Sequence, residues 1–322
     1  MRENEPMSSP AISVQAVSKR FGRVLALDDV SFSVAQGELF ALLGPNGAGK
    51  SSLIDILCTI SRPDSGRAEV AGIDVARHPL KARRRLGVVF QDATLDTRLS
   101  VLENLQFHGL VYQMGRADRR KRIDEMLALV ELEDWRHAVV RTLSSGMRRR
   151  LEIARALMHR PSIVFLDEPT VGLDAQSRAK IWSYLDTLRR TENLTIVVTT
   201  HYIEEVDACD GICIIDHGTI LARGTPASLK AEHGKTLIRI TPRTPAAHAL
   251  VAARYPEALE GAQGQLLIDG DVASADALLA QFGTQLRQVA VDQPSLESVF
   301  LSLTGRDLRE QPPALARKRG RA

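Results

Sequence analysis

The stretch that decides the fold is "GPNGAGKSS", residues 44–52, which follows an apolar run and opens a segment with helical spacing. It matches G-x-x-x-x-G-K-[ST], the pattern of a loop whose backbone amides cradle phosphate between a strand and a helix N-terminus. Gly44, Gly47 and Gly49 let the chain curl so that successive N–H groups converge. A glycine-rich turn without a ligand is the alternative, but the strand before the loop and the helix after it favour phosphate binding.

Two side chains at the end of this loop carry the chemistry. Lys50 would place its ammonium against the outer phosphate oxygens, and Ser51 would offer its hydroxyl to Mg²⁺. The cofactor-binding residues predicted from the loop are Gly44, Pro45, Asn46, Gly47, Ala48, Gly49, Lys50, Ser51 and Ser52.

Composition places the chain among ordinary globular proteins. Its 322 residues are 44% apolar, enough for one large and one small domain or two medium ones, and the formal net charge is +3. This balance gives no argument for binding nucleic acid, and no specific nucleic acid is expected. The N-terminus lacks a signal peptide's apolar core, and no window approaches the ~18 apolar residues of a membrane span. Cys58, Cys209 and Cys213 are expected to be buried apolar residues.

The pattern of the chain changes several times and predicts an α/β fold. Three near-continuous apolar runs, "SIVFLDE", "LTIVVTTH" and "GICIIDHG", alternate with helical segments and indicate parallel strands covered on both faces. We predict a P-loop core with an antiparallel β subdomain and a helical insertion at about 93–160, all within a domain of residues 11–234. Residues 235–305 predict a small α+β domain. Residues 1–10 and the basic stretch 306–322 are predicted to be disordered.

One apolar run ends in two acids that suit metal-assisted chemistry. In "IVFLDE", four apolar residues can be buried only as a strand, and they place Asp167 at its end as a Mg²⁺ ligand. Glu168 follows at the mouth of the site, where it could polarise an attacking water as general base. Adjacent acids on a loop are usually only solvated, but the strand before them favours a role in the site.

An arginine-rich helix start raises a question of charge. In "RTLSSGMRRRLEIARAL", residues 141–157, two serines and a glycine precede three arginines, and an apolar helical pattern follows. The helix dipole disfavours cations at this end, so we expect an anion to lie there. The alternative is a serine N-cap followed by solvated arginines.

Four stretches in this order, the loop at 44–52, "LSSGMRRRLEIARAL", "LDEPTVGLD" and "TTH", resemble the nucleotide-binding subunit of an ABC transporter. The resemblance implies ATP hydrolysis with Mg²⁺, and it identifies the arginine-rich stretch as the signature loop, which closes on the ATP of the opposite subunit. Two chains would form a homodimer with two ATPs at the interface. Ser144 and Gly146 match the family pattern Leu-Ser-Gly-Gly-Gln, whereas Ser145 and Met147 depart from it. Ser144, Ser145 and Gly146 are expected to contact ATP.

Other site residues follow from the same resemblance. Gln91, in "VVFQD", corresponds to the Q-loop glutamine that senses Mg²⁺ and water, and His201 to the switch histidine that contacts the γ-phosphate. Asp174 corresponds to the D-loop aspartate across the dimer. Phe21 corresponds to the aromatic residue that stacks on adenine, although it could instead belong to the core. The implied catalytic residues are Glu168, His201 and Gln91, and the implied metal ligands are Ser51, Gln91 and Asp167.

The resemblance also implies a membrane partner. In the family an integral permease docks near the Q-loop and the helical insertion, so we expect the chain at the cytoplasmic face of the cell membrane. Leu95, Leu99, Val101 and Leu105 are candidates for the docking groove, or for ordinary packing inside the insertion. The segment "QPSLESVFLSLTGRDL" resembles the drug-resistance branch of exporter ATPases, with drug, lipid or glycan cargo. The alternatives are an importer ATPase and a soluble ABC-type ATPase acting on ribosomes or DNA.

Overall fold

The computed structural model describes residues 9–200, 202–260 and 264–305. These residues form two compact units: the first runs up to Glu205 and includes Cys209–Ile220, and the second comprises Val206–Ala208 and the residues from Leu221 onward. Within the described ranges no helix has both the length and the apolar content needed to cross a membrane. All three cysteines are buried.

The strands and helices are numbered in chain order. The strands are β1 (Ile12–Phe21), β2 (Val24–Val34), β3 (Leu39–Leu43), β4 (Ser65–Val70), β5 (Ile73–Asp74), β6 (Leu86–Val89), β7 (Ile163–Asp167), β8 (Thr195–Thr199), β9 (Gly211–Asp216), β10 (Thr219–Gly224), β11 (Leu237–Pro242), β12 (Leu259–Glu260), β13 (Leu266–Asp269) and β14 (Leu286–Asp292). The helices are α1 (Lys50–Leu57), α2 (Pro79–Arg83), α3 (Val101–Val111), α4 (Arg116–Leu129), α5 (Ser145–Ala156), α6 (Ala175–Glu192), α7 (Ile203–Asp207), α8 (Pro226–His233), α9 (Pro245–Arg254), α10 (Val272–Phe282) and α11 (Leu296–Thr304).

The first unit begins with an antiparallel sheet in the order β2-β1-β4-β5. Apolar residues recur along β1, and Ile12, Val14 and Val17 are all buried. They pack in one cluster with Phe40 and Phe165 of the neighbouring parallel strands. This shared core fixes the antiparallel sheet against the strands that carry the site.

The second sheet has the order β10-β9-β3-β8-β7-β6, and its pairings from β9 to β6 are parallel. Every residue of β3, β8 and β9 is buried, as expected for apolar strands covered on both faces. The carboxyl ends of parallel strands meet at one edge of a sheet. The loop at 44–49 follows β3, Gln91 lies just beyond β6, and Glu168 follows β7, so all three belong to this edge.

Three helices, α3 to α5, lie between β6 and β7 and form the helical insertion. Leu95, Val101 and Leu105 are buried at 8%, 0% and 0% exposure, so ordinary packing is the interpretation that the structure supports for them. The insertion instead exposes another set of apolar side chains on α3. These are Phe107, Leu110 and Val111.

The second unit contains an antiparallel sheet in the order β12-β13-β11-β14. One face of this sheet packs against α9 and α10, with Ile238 and Ile268 paired across β11 and β13 and buried beneath Leu278. On the other face, Leu237 and Leu267 pack against Leu301 of α11. This alternation explains why successive residues of β11 and β13 are both apolar.

The structure confirms the predicted fold class: an α/β core with an antiparallel sheet and a helical insertion, and a C-terminal α+β part. Helix α1 ends at Leu57, and beyond it Thr59 adopts a left-handed φ of +63° and Ile60 is 59% exposed. One detail differs from the sequence prediction. The second unit includes α8, before the predicted boundary at 235, because α8 packs against α11.

Candidate nucleotide-binding site

The loop between β3 and α1 is shaped by its glycines. Gly49 has a φ of +110°, and a Cβ there would lie 2.5 Å from the carbonyl oxygen of Ala26. A Cβ on Gly44 would lie 2.2 Å from the carbonyl oxygen of Ile215. Only glycine fits at these two positions. The N-terminus of α1 has no side-chain cap and no acidic residue in its first turn, so its amides are available to an anion.

Lys50 occupies the first position of α1. Its Nζ donates hydrogen bonds to the carbonyl oxygens of Gly44 at 2.5 Å and Pro45 at 3.0 Å. Burial lowers the pKa of Lys50, against the opposing effect of the nearby Glu168 and Asp167 carboxylates. A buried ammonium held by only two carbonyls would gain from a phosphate anion in the loop.

The two predicted acids stand where β7 ends. The Asp167 carboxylate accepts a hydrogen bond from the Thr199 hydroxyl on β8, its parallel neighbour. The backbone N–H of Glu168 donates to the Thr199 carbonyl oxygen at 3.1 Å. Glu168 itself has a left-handed φ of +48°, uncommon outside glycine, so its backbone turns sharply away from the strand.

Gln91 and Glu168 are in direct contact. The Nε2 of Gln91 donates to the Oε2 of Glu168 at 2.8 Å, across 77 positions of sequence. Parallel pairing of β6 with β7 makes this possible, because Val89 lies opposite Leu166 and both chains leave the sheet at the same edge. An amide and a carboxylate thus lie together next to the phosphate loop.

The arginine-rich segment places its charges differently from the sequence expectation. Ser144 caps α5, its hydroxyl accepting from the N–H of Met147 at 3.2 Å. Arg149 is buried and Arg150 donates to the carbonyl oxygen of Val130 at 2.8 Å. Only Arg148 of the three arginines has no hydrogen bond or ion pair from its side chain to the described residues. Most of this charge therefore serves the subunit itself.

Comparison with known proteins decides the family. A model of the family described as "ABC transporter" matches residues 27–171. The daunorubicin resistance ATP-binding protein DrrA3 of Streptomyces coeruleorubidus is 39% identical over 319 residues, covering 96% of this chain and all of that protein. The chain belongs to the ABC transporter family. It is an ATPase cassette of that family.

Further relatives and solved structures agree with this assignment. The doxorubicin resistance ATP-binding protein DrrA of Mycobacterium tuberculosis is 39% identical, covering 91% of this chain and 93% of that protein. The structure of cbiO1 from Clostridium perfringens has a TM-score of 0.65 at 27% identity, covering 78% of this chain and 97% of that one. A dimeric cassette, MJ0796 bound to ADP and Pi, has a TM-score of 0.60 at 30% identity, and the match covers 66% of this chain and 98% of that one.

The remaining residues expected from the ABC family occupy diverse settings. Asp174 caps α6 and accepts from the N–H and the hydroxyl of Ser177, at 2.9 and 2.7 Å; these hydrogen bonds lower its pKa. Ser145 is exposed, whereas Gly146 is buried against Ser177. Phe21 is 50% exposed at the end of β1, available for stacking and not a core residue. His201 lies outside the described residues.

The residues present fit a Mg²⁺ ion of an ABC ATPase. Serine hydroxyl, glutamine amide and carboxylate oxygens, as on Ser51, Gln91 and Asp167, are the ligands that Mg²⁺ takes beside phosphates and water. The charge of Asp167 affects the pKa of Lys50 and of Asp55, so this carboxylate lies beside the helix that carries Ser51. Among the described residues no group of three or more His, Cys, Asp or Glu side chains forms a separate metal cluster.

Sequence reasoning missed the buried pair Arg149 and Glu152. The two side chains form an ion pair at 3.0 Å, with 10% and 5% exposure. A signal was present: the two residues are three positions apart on the helix, a spacing that pairs opposite charges, and apolar residues flank Glu152. Their importance depends on distant carbonyls that no local pattern reveals.

Proposed function

We propose that this chain is the ATP-hydrolysing subunit of an exporter and acts through a separate membrane permease. The observation that carries the proposal is the 2.8 Å contact between Gln91 and Glu168 at the sheet edge that also holds Lys50. The names of similar proteins support export: daunorubicin resistance, Nod factor export and linearmycin resistance. We propose a cargo of the same broad kinds, a drug, a lipid or a glycan.

In the proposed reaction the loop amides and Lys50 hold the ATP phosphates. When bound, Mg²⁺ would supply charge compensation at the phosphate oxygens, with Ser51, Asp167 and Gln91 as protein ligands. Glu168 accepts the proton of the attacking water, and Gln91 orients both the carboxylate and the water. His201 contacts the γ-phosphate, and Phe21 stacks on adenine.

The proposed working unit is a homodimer with two ATPs at its interface. Ser144, Ser145, Gly146 and Asp174 of one subunit complete the site of the other. ATP supplies the γ-phosphate that both subunits recognise, and ADP lacks it, so binding closes the dimer and hydrolysis opens it. The dimeric structures of MJ0796 concern that protein, and the same assembly is our proposal for this chain.

We further propose that the permease docks on the helical insertion and so holds the chain at the cytoplasmic face of the membrane. The exposed Phe107, Leu110 and Val111 of α3 are an apolar surface suited to this contact. Functionally, we assign ATP binding to the first unit and an accessory role to the second unit, which includes α8. Of the two stretches that the sequence predicts to be disordered, 1–10 and 306–322, only Ser9 and Pro10 lie within the described residues.

The test begins with Mg²⁺-dependent ATPase activity of the full chain and its Glu168→Gln variant. Loss of a general base should lower kcat by about 10²- to 10⁴-fold while ATP still binds. The matched control is Glu257→Gln, an exposed glutamate of the second unit, which should behave like the wild type. Equal kcat in wild type and Glu168→Gln would refute the assigned base.

The partner is tested with the same variant in native cells. ATP traps Glu168→Gln in its closed state, and the membranes are then solubilised gently. Recovery of a multi-span permease supports export through a separate subunit. Recovery of an importer's binding protein, or of ribosomes or DNA without a permease, contradicts it.

A further inference from the structure

Arg149 is a buried cation in which every donor is used. Its guanidinium has five N–H donors, and it makes five hydrogen bonds. Nε donates to the carbonyl oxygen of Pro169 at 2.8 Å, and Nη2 donates to those of Asp167 and Glu168 at 2.8 and 3.0 Å. Nη1 donates to the carbonyl oxygen of Phe90 at 2.7 Å and to Glu152 at 3.0 Å.

These acceptors lie on both sides of the hydrolytic pair. Three of them are the successive carbonyls of Asp167, Glu168 and Pro169, the segment in which Glu168 holds its left-handed φ of +48°. Such a conformation is energetically unfavourable and persists where surrounding contacts determine it. The fourth carbonyl, that of Phe90, directly precedes Gln91. One side chain therefore fastens the backbone of both the proposed base and its amide partner.

Glu152 extends the same connection. It offsets the buried charge of Arg149, and its Oε1 accepts from the N–H of Thr94 at 2.9 Å. The segment after Gln91 is thus fixed as well as the residue before it. A lysine at position 149 would keep the charge but has three donors on one atom, so it cannot satisfy five acceptors in a planar fork.

We propose that Arg149 is a positioning residue for ATP hydrolysis: it aims Glu168 and Gln91 by holding their backbone, and it ties them to the signature helix α5. The inference rests on the proposed function. Since Ser144 caps the same helix, one side chain links the loop that would meet the partner's ATP to the carboxylate that would activate water. Small displacements at a reacting centre are costly, about 10²-fold for 1 Å.

The test compares Arg149→Lys with Arg150→Lys in the full chain. The two arginines are neighbours on α5, but the Arg150 side chain interacts with Val130, Glu131 and Tyr184 instead of the segments that hold Glu168 and Gln91. Arg149→Lys should lower kcat for Mg-ATP at least about tenfold with KM changed less than threefold. It should also accumulate an ATP-bound dimer, as Glu168→Gln does. In the Glu168→Gln background, Arg149→Lys should cause no further loss of kcat. The control, Arg150→Lys, should have the kcat and KM of the wild type.

A second measurement makes the inference independent of enzymatic activity. Amide hydrogen exchange across residues 166–170 and 89–94 should accelerate at least about tenfold in Arg149→Lys and stay unchanged in Arg150→Lys. If the wild type hydrolyses no ATP, the proposed function fails, and exchange still decides whether Arg149 holds these segments. Unchanged exchange, or a kcat loss of equal size in the wild-type and Glu168→Gln backgrounds, overturns the proposal.

Removal of a buried charge partner can unfold a protein, so a milder variant accompanies the first. Glu152→Gln removes the negative charge but keeps one oxygen acceptor, which can remain with Arg149 while the hydrogen bond to the Thr94 N–H is lost. It should lower kcat about threefold with KM unchanged and accelerate exchange in the same two segments. A change in KM alone would overturn the positioning role.

Discussion

The phosphate loop at residues 44–49 and the signature segment at 141–157 are both proposed to meet ATP, yet they handle charge differently. One cation, Lys50, directly follows the loop, and two backbone carbonyls of the loop hold it at 2.5 and 3.0 Å. The signature segment has three consecutive arginines, and Arg149 alone donates to five acceptors of its own subunit. Most of the charge of the signature segment is therefore already paired within its own subunit before nucleotide binds.

This difference separates two uses of a buried cation. Lys50 has a lowered pKa because of burial, and it can exchange two carbonyls for phosphate oxygens, so its interactions change with the ligand. Arg149 would have to abandon a complete set of hydrogen bonds, so it stays with the backbone that it holds. The number of basic residues at a helix start therefore does not measure its affinity for an anion.

The largest expected effect comes from the loop backbone. In Gly44→Ala the new Cβ would lie 2.2 Å from the carbonyl oxygen of Ile215, so the loop must shift and its amides diverge. We expect Mg-ATP affinity, measured by calorimetry, to fall at least about 100-fold, or about 2.7 kcal/mol. Gly72→Ala is the control, because its φ of +72° is strained but nothing lies within 4 Å. Equal losses of affinity in both variants would show that strain, and not the loop's close packing, is responsible.

Acid should lower the stability of the region around His108 and His159, which lies just beyond the signature segment. Burial lowers the pKa of His108 to about 3 and of His159 to about 4; His159 stacks on Tyr112 at 3.7 Å, and Arg155 and Arg122 add repulsion. Below about pH 6.5 the unfolded chain binds protons that the folded chain does not. Stability present above that pH is therefore lost as the pH falls toward 4.

Urea unfolding at pH 7.0, 5.5 and 4.5 measures this loss, which we expect to be on the order of 2 kcal/mol across the range. Carboxylates elsewhere also titrate, so the informative quantity is the difference from His108→Gln. That variant should lose less stability than the wild type between pH 7.0 and 4.5. Parallel curves would mean that the histidine pair does not contribute to the acid dependence.

Arg148 tests whether any of the arginine charge serves the partner's nucleotide. It is half-buried, and of the three consecutive arginines it is the one whose side chain has no hydrogen bond or ion pair among the described residues. We expect Arg148→Ala to weaken ATP-dependent dimer formation about tenfold, measured by light scattering in the Glu168→Gln background, with little change in melting temperature. If Arg148→Ala leaves dimer formation equal to that of Glu168→Gln alone, Arg148 does not contact the nucleotide of the partner subunit.

The shape of the loop at residues 44–49 could be predicted from the sequence because the requirement is local. Gly44 and Gly49 are needed where backbone approaches backbone, and the apolar strand before them and the helix after them are visible in a few residues. The role of Arg149 could not be predicted in this way. Its acceptors at residues 90 and 167–169 lie 18 to 59 positions away, and only the pairing of β6 with β7 brings them together.

The smallest effect concerns the two helix starts. Helix α5 is capped by Ser144, whose hydroxyl accepts from the N–H of Met147, whereas α1 has Gly49 at its N-cap and no side-chain hydrogen bond. Ser144→Ala should therefore lower stability by about 1 kcal/mol without nucleotide, and Ser144→Thr should largely restore it. Ser51→Ala, in the first turn of α1, should change stability by less than about 0.5 kcal/mol without nucleotide.

With Mg-ATP present, Ser51→Ala should become the more destabilising of the two substitutions. A ligand that binds only the folded state stabilises it more when it binds more tightly. Thermal melts with and without Mg-ATP would then show a reduced ligand-induced shift for Ser51→Ala and a nearly normal shift for isolated Ser144→Ala subunits. The uncapped helix start would owe its stabilisation to phosphate and the capped one to its own serine. A normal shift for Ser51→Ala would contradict the assignment of its hydroxyl to Mg²⁺ and, with it, the contrast between the two segments.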